Sequence, residues 1–134
     1  MKNFTPDEAN DALEVVRPLT ERLVERRLVL VRAQGELKHV RTKAAGNGGG
    51  LDPETVSAAQ ASADAALAGV EDALAALDEL GVQVKDLDRG LIDFPAIHPE
   101  SGDVVLLCWH LGEDEVGFWH DLEEGFAGRK QLPF

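Results

Sequence analysis

Lys43-Ala44-Ala45-Gly46-Asn47-Gly48-Gly49-Gly50-Leu51-Asp52-Pro53-Glu54: this stretch decides the architecture of the chain, because it ends one long helix and begins another. Its glycines end the first helix and form a flexible loop over Gly46–Gly50. Asp52 can cap the second helix, and Pro53 suits the first helical position. Because so short a loop returns the chain beside itself, the sequence predicts an antiparallel helical hairpin.

The first helix is predicted from Pro6 to about Ala45. Thr5 and Glu8 have the spacing of a capping box at its start. Pro18 lies inside the apolar pattern, so we expect a kink or a break into two helices there. The apolar stripe of this helix repeats every seven residues, at Val16, Leu23, Leu30 and Leu37.

The second helix is predicted from Pro53 to about Leu80 and stops at Gly81. Its apolar face is rich in alanine, which lets a partner helix approach closely, and consists of Ala59, Ala63, Ala66, Val70, Leu74 and Leu77. Beyond Gly81 the apolar residues alternate, which predicts short strands at 82–85, 91–96, 104–109 and 116–120. The tail from Leu122 to Phe134 has no regular pattern.

These elements predict an α+β fold in one domain spanning residues 1–134. Residues 1–81 form the hairpin, and residues 82–134 form a three- to four-stranded antiparallel sheet with an irregular tail. The chain has a net charge of −12, which opposes a nucleic-acid binder because phosphate neutralisation needs a basic surface. It has no apolar run long enough for a membrane helix and no signal-peptide pattern. Cys108 is the only cysteine, so we expect a cytoplasmic protein.

Charge divides between the two predicted helices. The segment from Arg22 to Lys43 carries seven bases and two acids, whereas the second helix carries six acids and no base. An antiparallel hairpin would bring Arg32 near Asp64, and would bring Arg26 and Arg27 near Glu71 and Asp72. Exposed pairs contribute little stability, so this pattern favours the pairing of the helices more than it stabilises them.

The hairpin also predicts a homodimer. The first helix would span roughly 57 Å and overhang a small sheet. Leu23, Leu30 and Leu37, together with Leu28 and Val31, make a broader apolar face than one alanine-rich helix is expected to cover. A second copy of the chain would cover it in a two-fold, four-helix arrangement.

Polar residues gather in the C-terminal half. A five-residue turn at 111–115 would place Cys108 opposite Phe118, with His120 one diagonal step away. The preceding hairpin could set Asp93 beside Cys108. Thiol, imidazole and carboxylate would then converge, which suits a zinc or iron site or a thiolate–imidazole pair.

A purely structural interpretation stays open beside these two. Cys108 can be a small buried apolar residue, and His120 can cap the polar rim of the sheet. Asp93 can bond a turn or pair with Arg129. Glu113 follows a glycine in a tight turn and can be an ordinary turn carboxylate. Two tryptophans, at 109 and 119, suit either packing of the sheet on the helices or a ligand pocket.

Several segments resemble a small bacterial family of uncharacterised proteins, catalogued as a domain of unknown function. The matching segments are Phe4-Thr5 with Glu8-Ala9-Asn10, Gly81-Val82, Lys85-Asp86-Leu87, Gly90-Leu91-Ile92-Asp93-Phe94-Pro95-Ala96, Cys108-Trp109, Gly112-Glu113, Trp119-His120, Gly125-Phe126 and Gly128-Arg129. The polar positions that the resemblance marks are Asp93, Cys108, Glu113, His120 and Arg129. His98 and His110 fall outside them. The resemblance implies no activity, substrate or cofactor.

Two functional hypotheses follow. The first is a non-enzymatic, homodimeric binding or scaffold module. The second is a metal- or thiol-dependent enzyme that uses Asp93, Cys108 and His120, with a transition metal such as zinc as its cofactor. In it, Glu113 would act as acid or base, and Arg129 would bind an anionic substrate.

Overall fold

Two helices precede an antiparallel sheet in the computed structural model, which describes residues 2–46 and 52–134. The predicted glycine loop lies, from Asn47 to Gly50, outside the described residues. The elements are α1 (Pro6–Gly46), α2 (Pro53–Glu79), β1 (Gln83–Asp86), β2 (Leu91–Ile97), β3 (Val104–His110), β4 (Phe118–Asp121), a 3₁₀ turn (Phe126–Gly128) and β5 (Lys130–Gln131). The predicted α+β fold, with a helical hairpin ahead of an antiparallel sheet, is confirmed.

The start of α1 has the predicted capping box. The Thr5 backbone N–H donates to Glu8 Oε1 at 2.9 Å, and the Glu8 backbone N–H donates to Thr5 Oγ1 at 3.1 Å. The helix then runs through Pro18 without interruption, so the predicted break is wrong. Proline leaves the carbonyl of Glu14 without its helical donor. Because Glu14 and Pro18 are both exposed, water can bond this carbonyl and the helix continues.

The five strands form one antiparallel sheet in sequence order, β1-β2-β3-β4-β5. Each strand pairs with the next along the chain, so hairpin connections build the whole sheet. The tail, predicted to be irregular, adds the last strand by pairing Gln131 with Phe118 and Lys130 with Trp119. Within the described residues, neither helix has the length and apolarity together that a membrane span requires.

The chain forms two compact units. The first comprises the chain up to Val24 together with Ala73–Phe134, and the second comprises Glu25–Asp72. The core of the first contains Leu13, Val16, Leu23, Leu77, Ile92, Phe94, Leu107 and Trp109. The core of the second contains Leu30, Leu37, Val40, Ala63 and Val70.

The leucine stripe of α1 is buried within the single chain. Leu23, Leu30 and Leu37 are 0%, 4% and 9% exposed. These three leucines therefore leave no apolar face for a second copy, whereas Leu28 and Val31 are 52% and 48% exposed, and the homodimer stays a prediction. The single chain buries these leucines because the small alanine side chains of α2 allow the two helices to approach closely. Arg26 on α1 accordingly donates to the backbone carbonyl of Gly69 on α2 at 3.0 Å.

The contacts of Arg26, Arg32 and Arg41 differ from the predicted charge pairs of the hairpin. Arg41 bonds the side chain of Gln60, whose Nε2 donates in turn to Asp64 at 2.9 Å. Across the part of the chain that the structure describes, no ion pair joins Arg32 to Asp64. Arg26 and Arg41 therefore bond uncharged groups of α2 and not its carboxylates.

One face of the sheet packs on α1 and on the segment before it. The rings of Phe94 and Phe4 meet edge to face at 5.2 Å, and Arg17 lies 5.8 Å from the Trp109 ring. Because Phe94 and Trp109 differ in parity from Asp93 and Cys108, the latter point to the opposite face. The polar residues of interest therefore lie on the side of the sheet away from these contacts.

Gly90 fixes the approach of the sheet to α1. Its φ of +66° favours glycine, and a Cβ there would lie 2.8 Å from Thr20 Cγ2 and 3.0 Å from Leu111 Cβ. Gly102 also has a positive φ, of +74°, but a Cβ would meet nothing within 4 Å. Alanine at either position has the same unfavourable backbone conformation, so the difference in stability between the two variants measures the steric clash at Gly90.

We expect Gly90→Ala to lower the free energy of unfolding by about 1–3 kcal/mol more than Gly102→Ala, the usual cost of overpacking. Denaturant titration of the two variants against the wild type measures this difference. Equal losses would mean that Thr20 and Leu111 move aside freely, and that Gly90 is required only for its backbone conformation.

Candidate metal centre

Strand register brings three of the predicted polar residues together. Asp93 on β2 pairs with Cys108 on β3, and Cys108 pairs with Phe118 on β4. His120 pairs with Leu106, which puts it one diagonal step from Cys108 on the same face. One ligand atom from each of Asp93, Cys108 and His120 lies within 4.8 Å of the others. Strand alternation and the turn length had predicted this placement.

A proton or a metal ion must lie between His120 and Asp93. His120 Nδ1 lies 2.8 Å from the carbonyl oxygen of Asp121, which can only accept, so Nδ1 carries a hydrogen. His120 Nε2 lies 3.1 Å from Asp93 Oδ2. Since two lone pairs would repel at this distance, either a proton or a metal ion must lie between Nε2 and Oδ2. The Asp121 carbonyl fixes the ring orientation that presents Nε2 to the carboxylate.

The second oxygen of Asp93 has no partner. Asp93 is 1% exposed, and its Oδ1 is buried without a hydrogen-bond donor among the described residues. Burial raises the pKa of this carboxyl group, against the opposing effect of His120. A buried polar atom without a partner is costly, and it is one mark of a site that binds something further.

Cys108 is held as a neutral thiol. It is 0% exposed, and burial, followed by the negative charge of Asp93, raises its pKa to about 11. Thiol nucleophiles need a lowered pKa, since the thiolate is the reactive form. A thiolate–imidazole pair of the catalytic kind is therefore disfavoured in the metal-free protein, whereas a metal ion would displace the thiol proton directly.

Arg129 and Glu113 lie beside this trio and pair with each other. Arg129 Nη1 and Nη2 donate to the two oxygens of Glu113, each at 3.0 Å, and both side chains are 16% exposed. The Arg129 guanidinium lies between two rings, 3.8 Å from the centre of Phe118 and 4.1 Å from that of Phe126. The expectation that Arg129 pairs with Asp93 is therefore wrong.

Phe118 links this stacked arginine to the trio. It is the direct neighbour of Cys108 across the strand pair, so the arginine over its ring lies close to the thiol. Burial lowers the pKa of Arg129, but the bonds with Glu113, followed by the effect of Cys108, raise it above its usual value. The five marked polar residues therefore form one connected cluster. Sequence reasoning placed Phe118 opposite Cys108 but missed that Phe118 and Phe126 stack on Arg129; Phe126 had only its place in the Gly125-Phe126 segment as a signal.

Glu113 is more than a turn residue. Its Oε1 also accepts from the backbone N–H of His110 at 3.0 Å, which anchors the turn after β3. His110 itself contacts the Leu111 carbonyl through Nδ1 at 2.9 Å and packs against Phe126. It stays outside the trio, as the resemblance implied. Trp119 lies elsewhere, in ring contact with His98 and Phe134.

Comparison with known proteins identifies one family. A family model described as an uncharacterised conserved protein, DUF2203, matches residues 2–132. No curated protein and no solved structure gives a significant match.

Proposed function

The chain belongs to the uncharacterised DUF2203 family, and we propose that it is a non-enzymatic binding module that holds a transition-metal ion, zinc by preference, between Asp93, Cys108 and His120. The observation that carries this proposal is the convergence of three different donor groups around a buried carboxylate oxygen with no partner. Each of the three is a common metal ligand.

The spacing of the donors is close to what zinc needs. Tetrahedral bond lengths separate the ligand atoms of a zinc ion by roughly 3.2–3.8 Å. The donor atoms here lie within 4.8 Å of one another, and the His120–Asp93 pair is already at 3.1 Å. Side-chain adjustments of about 1 Å would complete the geometry. Mixed sulfur, nitrogen and oxygen donors favour zinc over magnesium or calcium, which prefer oxygen alone.

Burial favours binding over catalysis at this site. The side chains of Asp93 and His120 are 2% and 3% exposed, and Cys108 is fully buried. The paired Arg129 and the Phe126 ring lie over this region of the sheet, so a substrate would have to displace them before reaching the trio. The neutral state of the Cys108 thiol also favours binding over catalysis. A thiol ligand must stay reduced, which suits a cytoplasmic protein.

The proposal is tested on untagged protein stripped with EDTA and titrated with Co²⁺, the spectroscopic substitute for zinc. We expect one equivalent to bind, with a sulfur-to-cobalt charge-transfer absorption that is absent in Cys108→Ser. The affinity for Co²⁺ should fall by more than about 100-fold in Cys108→Ser and in His120→Gln. This loss exceeds the one expected from removing a residue that only hydrogen-bonds a metal ligand. Zinc should compete for the same equivalent.

His110→Gln is the matched control, because it removes another imidazole from the same face of the sheet without touching the trio. It should retain the absorption and the affinity. Wild-type protein that binds no stoichiometric cobalt or zinc would overturn the proposal, and so would a charge-transfer band that survives in Cys108→Ser.

A further inference from the structure

A shallow apolar groove runs along the hairpin in the second compact unit. It has a volume of about 520 Å³ and is lined by Val29 and Ala33 from α1 and by Ser62, Ala65 and Gly69, among others, from α2. We refer to it as the hairpin groove. Small side chains on its α2 side would allow another helix to approach to about 8–10 Å between axes.

Large apolar side chains are exposed on the same unit. Val29, at the rim of the hairpin groove, is 49% exposed, and Leu28, Val31 and Leu67 are 52%, 48% and 44% exposed. Single exposed apolar residues are ordinary, but four on a short helical hairpin are typical of an interaction surface, and Val29 is the one of the four that lines the groove.

The charges on α1 and α2 indicate which kind of partner fits the hairpin groove. Between residues 25 and 46, α1 carries six bases and two acids, whereas α2 carries four acids and no base between residues 53 and 72. Within the described part of the hairpin, Arg26 bonds a carbonyl and Arg41 bonds Gln60, so neither consumes a carboxylate of α2. One surface therefore presents a basic helix and an acidic helix side by side.

From these observations we propose that the hairpin groove binds a second copy of this chain through a two-fold contact. In such a contact α1 of each copy lies against α2 of the other, so each basic helix meets an acidic one. A partner of uniform charge would be repelled by one of the two helices, whereas a second copy matches both. The product is an antiparallel four-helix arrangement.

This contact differs from the dimer predicted from the leucine stripe, because that stripe is buried inside each chain. It also does not depend on the metal site, whose residues lie in the other compact unit. Failure of either proposal would leave the other standing.

Sedimentation equilibrium of the full chain tests the proposal. Wild-type protein should show twice the chain mass of 14.5 kDa at micromolar concentration. Ala65→Glu places a long charged side chain in the hairpin groove, where a second copy would have to bury it and could no longer approach closely. It should raise the dimer dissociation constant at least about tenfold, which corresponds to 1.4 kcal/mol.

Ala68→Glu is the matched control, because Ala68 is an exposed alanine of the same helix that does not line the hairpin groove. It carries the same change in charge and helix propensity and should leave the dissociation constant within about twofold of wild type. Raising the salt from 0.05 to 0.5 M should weaken the wild-type dimer, since screening removes the charge contribution.

Three results would overturn the proposal: a wild-type monomer at 100 µM, equal effects of Ala65→Glu and Ala68→Glu, or a dimer that salt strengthens. Circular dichroism of both variants verifies that the helices remain folded, so a loss of dimer reports on the contact itself.

Discussion

His120→Leu in metal-free protein is expected to lower the free energy of unfolding at pH 7 by about 3–5 kcal/mol, the cost of breaking a buried charge pair. The substitution removes the imidazole bond to Asp93 Oδ2 and leaves the Cys108 thiol as the remaining side chain that acts on this carboxyl group by a hydrogen bond, while Asp93 Oδ1 has no partner among the described residues. A carboxylate that is 1% exposed would then be buried without the compensating imidazole. Leucine restores the volume of the ring, so the loss reports the charge and not a cavity.

The loss should shrink as the pH falls. Burial already raises the pKa of Asp93, and removing His120 takes away the main opposing effect. A carboxyl group whose folded pKa exceeds its unfolded value binds protons more tightly in the folded state, so stability increases as pH falls and decreases as pH rises through the folded pKa. Urea titrations of wild type and variant between pH 4 and pH 8, in EDTA, should therefore converge at the acidic end.

Two further variants separate charge from packing. Asp93→Asn on the His120→Leu background removes the charge and should recover part of the loss at pH 7 while abolishing the convergence. His110→Leu, a half-buried histidine on the same face, should cost roughly 1 kcal/mol without that pH dependence. If His120→Leu costs no more than His110→Leu at pH 7, Asp93 and His120 do not form a buried pair.

Local pattern was sufficient to place this trio. Because side chains alternate strictly along a strand, a turn of known length fixes which residues of a hairpin face each other. The connection between β3 and β4 spans residues 111–117 and is longer than the predicted five-residue turn, but the pairing of Cys108 with Phe118 is the predicted one. The helix boundaries were similarly local, as the capping bonds between Thr5 and Glu8 show.

The partner of Arg129 could not be found in this way. The tail has no alternation that would fix where its side chains point, so charge alone suggested Asp93. The structure shows that stacking on Phe118 and Phe126 positions the guanidinium, and that Glu113 then meets it in a bidentate pair. Such a contact depends on how the tail crosses the sheet, which is a tertiary property.

Burial of the leucine stripe was also beyond local pattern. Periodicity shows that Leu30 and Leu37 share a face, but it does not show whether the covering surface comes from the same chain. The answer depended on how closely α2 approaches α1, which the contact from Arg26 to the Gly69 carbonyl reveals. An alanine-rich helix covers more of its partner than its own apolar area suggests, because small side chains let it lie closer.

Arg129→Met is expected to lower the free energy of unfolding by about 2–4 kcal/mol, somewhat below the range for a fully buried pair because both partners are 16% exposed. Methionine retains a long apolar side chain between the two phenylalanine rings but removes both hydrogen bonds to Glu113. It also removes the cation–π contacts, each of which contributes about 0.5–2 kcal/mol depending on desolvation. Glu113 would keep its bond from the His110 backbone N–H and its contact with His110 Nε2 at 3.7 Å.

The adjacent residue supplies the control for this prediction. Lys130 also pairs with carboxylates, at 2.7 Å from Glu124 and 3.7 Å from Asp121, but its side chain is 46% exposed. Lys130→Met should therefore cost about 1 kcal/mol or less, as exposed ion pairs do. Chemical denaturation of the two variants at pH 7 gives the comparison directly. If Arg129→Met were no more destabilising than Lys130→Met, the guanidinium would not be held by its ring stack and bidentate pair, and the tail would cover the polar trio by apolar packing of Phe126 alone.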